Sequence, residues 1–245
     1  KAYNQAAKEA TALLKGAGYA AEEVGRALGR AYNQVAKDAL VLLRDTGHAA
    51  EEVGRALNKA YNKTAKEATA LMKDAHYTVE QIGSTLNKAY NQAAKDAAAL
   101  LKDAGYTVEQ VGSALSKGYN LAAKDAAAAL KDAGYVVEDV GRALQSAYNS
   151  SAEAASSVLR QVGYGAEDVG KALNSVFNKT GKELENLLNG AGFASQEVAG
   201  AFKKFGNWTS GAVNTVGNTL GNTAKDVGNT LGDVGKGAAK AFSGW

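Results

Sequence analysis

Apolar residues recur along this chain at helical spacing, and the pattern restarts every 29 residues. From Thr107 to Tyr135, Val111, Leu115, Tyr119, Ala122, Ala126 and Leu130 follow a period near 3.6 and lie on one face of a helix. Thr107-Val108-Glu109-Gln110 reads as a capping box, and Thr78 to Gln81 carries the same signature. Gly134 stands where a glycine in the left-handed conformation closes a helix. Glu22–Arg26, Glu51–Arg55, Glu138–Arg142 and Glu167–Lys171 have the favourable i,i+4 order on a polar face.

Two dipeptides mark the period. Tyr-Asn stands at Tyr3-Asn4, Tyr32-Asn33, Tyr61-Asn62, Tyr90-Asn91, Tyr119-Asn120 and Tyr148-Asn149, and then as Phe177-Asn178. Gly-Tyr stands at Gly18, Gly105, Gly134 and Gly163, with variants at Gly47-His48, His76-Tyr77 and Gly192-Phe193. An undrifting period over seven copies predicts an all-α array of stacked units, an α-solenoid in which each unit contacts its neighbours. Asparagine is a good N-cap, so Asn91 and Asn120 are expected to start a second helix. This gives two helices of about 11–13 residues per unit, near the usual length. The alternative is one kinked helix of about 25 residues, a length set only by the missing breaker at Tyr119. The tyrosine row is expected to form the amphipathic rim of the core, with buried rings and wet hydroxyls. A ladder that stacks sugars or flat ligands is the other reading.

The pattern changes near the C-terminus. Phe202, Phe205 and Trp208 cluster where an end unit must close an apolar face. Residues 1–205 are therefore assigned to the array and 206–245 to a tail. There Val216-Gly-Asn-Thr-Leu220 returns as Val227-Gly-Asn-Thr-Leu231, a spacing of 11. Val216, Leu220, Val227, Leu231, Val234 and Phe242, with Trp245 at the end, form a narrow apolar stripe flanked by Gly, Asn, Thr and Lys. So glycine-rich a segment is a poor free helix, which predicts that it docks on protein or on an amphiphile. The 11-residue rhythm resembles the lipid-surface repeats of synuclein-like and apolipoprotein-like proteins, a likeness that implies a membrane surface as a possible partner.

Composition narrows the function. Hydrophobic residues make up 46% of the chain but aromatics only 7%, so stability must come from many small contacts between alanine-rich helices. The chain has no cysteine, which excludes disulfides and thiolate metal sites, and no proline to interrupt its helices. No stretch reaches the length and apolarity of a membrane-spanning helix. A start at Lys1 suggests a processed product or a fragment. The net charge is +3, and residues 203–245 hold five lysines against two acids. The array is therefore neutral and the tail basic.

Chemistry is sparse. Glu9, Asp38, Glu67, Asp96 and Asp125 each follow a lysine and recur with the period, as a solvated face does. His48 and His76 are turn variants with no second ligand beside them, so neither catalytic residues nor a cofactor or metal is expected. The glycines around Lys236 lack the spacing of a phosphate loop. Asn62, Asn178 and Asn207 head N-glycosylation patterns.

The junction Leu71-Met72-Lys73-Asp74-Ala75-His76-Tyr77-Thr78-Val79-Glu80-Gln81-Ile82 resembles the junction of TAL-effector repeats. That resemblance implies a superhelix of two-helix repeats with a base-reading dipeptide. The matching positions are Gly29-Arg30, Asn58-Lys59, Asn87-Lys88, Ser116-Lys117, Gln145-Ser146 and Asn174-Ser175. The glycines that follow the dipeptide in that family are absent, and a neutral array is a poor match for phosphate. The expected function is thus a non-enzymatic structural or protein-interaction repeat. Its partner is itself, in a filament or surface layer, or another protein. Membrane binding through the tail and nucleic-acid binding are the alternatives. A bacterial, exported or cell-surface setting suits the composition.

Overall fold

The computed structural model describes residues 2–204, and among them it is all-α with no strand. The helices run in series as α1 (Ala2–Gly16), α2 (Ala21–Ala31), α3 (Ala36–Asp45), α4 (Ala50–Lys59), α5 (Ala65–Asp74), α6 (Val79–Lys88) and α7 (Ala94–Asp103). They continue as α8 (Val108–Ser113, extended by a π turn over Ala114–Gly118), α9 (Ala123–Asp132), α10 (Val137–Tyr148), α11 (Ala152–Gln161), α12 (Ala166–Phe177), α13 (Gly181–Gly190) and α14 (Ser195–Lys204). Each unit is a pair of short helices, so the two-helix reading holds over the kinked one. Even-numbered helices are the first of each unit and odd-numbered helices the second. First helices pack on first helices and second on second, which is the solenoid arrangement.

The two turns of a unit are both closed by a left-handed residue. At the Gly-Tyr turn Gly105 has φ +76°, Gly105 N–H donates to Lys102 O, and Tyr106 N–H donates to Leu101 O. This double bond pattern is a Schellman motif, and it satisfies two carbonyls that the helix end would otherwise orphan. His76 is the one non-glycine at this position with a positive φ, 60°. At the Tyr-Asn turn the asparagine itself is left-handed, with φ between 47° and 54° at Asn33, Asn62, Asn91, Asn120, Asn149 and Asn178.

The asparagines therefore do not cap the second helices, contrary to the expectation for Asn91 and Asn120. They end the first ones. Asparagine tolerates the left-handed region better than other side-chain-bearing residues, and the reversal sends the N–H of the very next residue back to a buried leucine carbonyl. Thus Gln92 N–H donates to Leu86 O (2.9 Å) and Leu121 N–H to Leu115 O (3.1 Å). The true N-caps lie two residues after each asparagine, at Val35, Thr64, Ala93, Ala122, Ser151 and Thr180. Tyr3-Asn4 differs again: both lie inside α1, and no such turn forms there.

The capping boxes are where the sequence puts them. Thr78 Oγ1 accepts from Gln81 N–H while Gln81 Oε1 accepts from Thr78 N–H, and Thr107 with Gln110 does the same. Thr64 and Glu67 form another. Its bonds from the Thr64 backbone, Lys63 and the Thr64 hydroxyl hold the Glu67 carboxyl down to about 2.

The core is a ribbon of leucine, valine and alanine running between the rows, with Leu28, Leu57, Leu86, Leu115, Leu144 and Leu173 repeating at 29 and fully enclosed. Its narrowest contacts lie in the first-helix row. Gly112 faces Ala143, and a Cβ built on it would lie 3.0 Å from the alanine's; Gly83 faces Ala114 at 2.9 Å. Glycine here serves close approach between helices. Gly118 stands where the other copies carry alanine or valine, and it presses on the Glu80 and Ser84 backbone with no room for a Cβ. The same last turn is the one that widens to π geometry.

Candidate functional site: the faces of the two helix rows

The side chains able to do chemistry are drawn into two inter-unit lattices. The first lies at the Gly-Tyr edge. In four second helices a basic residue of the last turn reaches the C-cap carbonyl of the next second helix. Lys15 donates to Thr46 O (2.7 Å), Arg44 to Ala75 O, Lys73 to Ala104 O and Lys131 to Val162 O (2.7 Å). Lys102 donates one residue further on, to Gly134 O (3.0 Å). The same cation lies over the aromatic ring that follows the glycine: Lys73 over Tyr106 at 4.7 Å, Lys102 over Tyr135 at 4.3 Å and Lys131 over Tyr164 at 4.6 Å. Arg160 covers Phe193 at 5.4 Å. Positive charge at a helix C-terminus and over a ring face are both favourable, so one side chain serves two contacts. Tyr77 and Tyr135 are each 7% exposed, whereas Tyr19, with no preceding clamp among the described residues, is 50% exposed.

The second lattice runs along the exposed stripe of the first helices. Glu51 accepts from Ser84 Oγ at 2.5 Å and pairs with Lys88 at 3.2 Å; Glu80 accepts from Ser113 Oγ at 2.5 Å. Glu109 meets Arg142 at 3.6 Å, and Glu167 meets Lys204 at 2.9 Å. The serine bonds, ahead of other causes, hold the carboxyls of Glu51 and Glu80 below the usual range. Of the four i,i+4 pairs expected, Glu22–Arg26 forms and Glu167–Lys171 forms at 3.1 Å. Glu51 instead turns to the next unit, and Arg142 takes Asp139 and Glu109. A carboxylate that bridges two helices gains the partner unit's hydroxyl as well as its cation, which the same-helix pair does not offer.

The tyrosines of the other turn are half-buried, and their hydroxyls are not wet as expected. Tyr61 donates to Gly25 O and Tyr119 to Gln92 O, both at 3.0 Å. Burial pushes Tyr61 and Tyr148 up to about 12 and raises Tyr90 and Tyr119 as well. These rings join units; they do not form an open stacking ladder. Phe177 keeps the rim position without the hydroxyl, packed against the core.

The TAL-like dipeptides occupy the last turns of the first helices, inside helix and not in a loop, with Arg30, Lys59, Lys88 and Lys117 exposed in one row. Asp38, Glu67, Asp96 and Asp125 are exposed in the first turns of second helices, and Glu9 is exposed in the middle of α1. His48 fills a clamped aromatic position, with Nδ1 3.5 Å from Glu52. Among the described residues no group of three His, Cys, Asp or Glu is placed to hold a metal ion, and no helix is long and apolar enough to cross a membrane. The tail stripe from Val216 to Trp245 lies outside the described residues. Sequence reasoning missed the clamp row and the glycine row. Both were visible only as recurrences at 29, Lys15, Arg44, Lys73 and Lys102 for one and Gly25, Gly54, Gly83 and Gly112 for the other.

No protein-family model matches this chain, and no curated protein matches it either. The TAL-like and synuclein-like features therefore stand as local resemblances.

Proposed function

We propose that this chain is a non-enzymatic scaffold whose array presents a regular surface to a protein partner, the partner being another copy of itself. One observation carries the reading. The inter-unit contacts of both rows, such as Lys102 with Gly134 O and the Tyr135 ring or Glu80 with Ser113, recur from unit to unit, so no single copy is set apart as a reaction centre. Outward, the same kinds of residue recur at 29, the basic row Arg30, Lys59, Lys88 and Lys117 on first helices and the acids Asp38, Glu67, Asp96 and Asp125 on second helices. A period shared by two copies lets every unit contribute the same weak contact. Summed over several units, such contacts give avidity without a hot spot. A contact between unlike faces that does not close generates a filament or layer.

Light scattering of the full chain over a hundredfold range of concentration tests this. A mass that grows with concentration supports assembly. A monomer throughout overturns self-assembly and moves the role to a different partner. Two further arms address the alternatives. Helicity gained on anionic vesicles would support a lipid-binding tail, and salt-dependent retention of duplex DNA would support the TAL-like reading, which the exposed row Arg30, Lys59, Lys88 and Lys117 favours.

A further inference from the structure

The array does not stop at a unit boundary among the described residues. Helix α14 is a first helix: its Val198 and Ala201 are buried as Val169 and Ala172 are, 29 residues earlier. Each preceding first helix has its own second helix beside it. A groove of about 250 Å³ lies on α13 and α14, lined by Gly181, Glu185, Asn189, Ser195, Val198 and Phe202. The position of Glu185 is buried in the earlier copies as Leu40, Thr69, Ala98, Ala127 and Ser156, in second helices that each pack on the next second helix.

The sequence beyond α14 keeps the same register. Asn207 stands 29 residues after the left-handed Asn178, and Thr209 stands 29 after the N-cap Thr180. Val213 and Val216 match the buried Leu184 and Leu187, and Gly221 matches the left-handed Gly192. A paired change supports the alignment. Asn189 replaces the basic clamp residue of the earlier units, and Asn222 replaces the aromatic that the clamp would cover. Donor and acceptor of that contact are lost together, as they must be if residue 222 occupies the acceptor's place.

We propose that residues 207–221 of this same chain occupy the groove on α13 and α14 and complete an eighth unit. The assignment reaches beyond the scaffold reading. It shortens the free tail to 222–245 and moves Val216 and Leu220 from the tail's outward stripe to the array. Within α13, Glu185 pairs with Lys182 at 3.0 Å, so its charge is met before the groove is covered. The weak match is Gly217, which stands where Leu188 is fully buried.

Hydrogen exchange of the full chain tests the proposal. A Val213→Asp/Val216→Asp variant should speed exchange of the α13 amides at least tenfold, because a charge placed in the groove removes the cover. Val227→Asp/Leu231→Asp, in the shortened tail, should leave α13 unchanged. Gly217→Leu, which restores the missing apolar contact, should slow α13 exchange. Unchanged α13 exchange in the first variant would overturn the proposal, as would an equal effect in the second. Protection that appears only as protein concentration rises would do so too, since it would make a second copy the occupant.

Discussion

In the first-helix row, Gly112 brings α8 and α10 close enough that a single added carbon would sit 3.0 Å from Ala143. In the second-helix row the helices stand farther apart, and Lys102 spans the distance to Gly134 O and the Tyr135 ring with an extended side chain. One row is spaced by what is missing from its side chains, the other by the reach of a long one. The close row has no slack, since packed backbones do not yield to a new methyl group. The clamped row can adapt, because a lysine has four torsions with which to follow its carbonyl.

The largest expected effect follows from that contrast. Gly112→Val should overpack the α8–α10 contact and destabilise the middle of the array by about 3 kcal/mol. Exchange of the flanking helices α6 through α10 should rise together, since neighbouring units stabilise one another. A change confined to α8 would show that the close row tolerates more than its geometry suggests. Lys102→Met, in the other row, keeps most of the stem and removes the charge. It gives up a hydrogen bond to a carbonyl and a cation–ring contact, and should cost about 1–2 kcal/mol. Its signature is local: faster exchange at Gly134 and Tyr135, with the first-helix row unaffected.

The turns sharpen the comparison at a smaller scale. Asn120→Ala should cost about 1 kcal/mol, because alanine loses more than asparagine in the left-handed region, while Asn120→Gly should cost little or nothing. If Asn120 were an N-cap instead, Asn120→Ser would be close to neutral, whereas in a left-handed turn serine should cost about as much as alanine. Thermal unfolding of the serine and glycine variants decides it.

These turns also show what the sequence could and could not disclose. The 29-residue period, the Thr78 and Thr107 capping boxes and the Gly134 turn are set by local chemistry, and local patterns report them directly. Asparagine was ambiguous because its short side chain suits both an N-cap and a left-handed turn. The deciding signal lay two residues on, where Thr64, Ser151 and Thr180 supply the cap position. The clamps were hidden for another reason. Their acceptors are backbone carbonyls 31 residues away, and a carbonyl has no residue type to read. The glycine row was masked by its own propensity, since glycine within a helix reads as a weak point until a partner helix is seen against it. Glu51–Arg55 failed for a like reason: i,i+4 spacing says which residues can meet, and the neighbouring unit offered more.

The smallest effect tests the clamp where its aromatic is replaced. His48 is buried at the clamped position, and burial first, then the charge of Lys15, lowers its pKa from 6.5 against the opposing pull of Glu52. The folded chain thus favours the neutral ring, and the unfolded chain takes up a proton first as pH falls. This part of the stability is complete above the unfolded value and drains away as pH drops below about 6.5 toward the folded one. Tm should fall by roughly 1–3 °C between pH 7 and pH 5 beyond the loss seen in a His48→Tyr variant. That variant restores the ring found at Tyr77, Tyr106 and Tyr135, so at pH 7 it should gain about 0.5 kcal/mol from Lys15 over the new ring. If His48→Tyr leaves the slope between pH 7 and pH 5 untouched, the slope does not come from His48; capping carboxylates such as Glu67 cannot supply it either, since their contribution begins to fade only below about 4.5 and is gone near 2. A slope that disappears while the pH 7 stability does not rise would separate the two halves of the clamp. The carbonyl bond of Lys15 to Thr46 would then carry the contact, and the ring would only fill space.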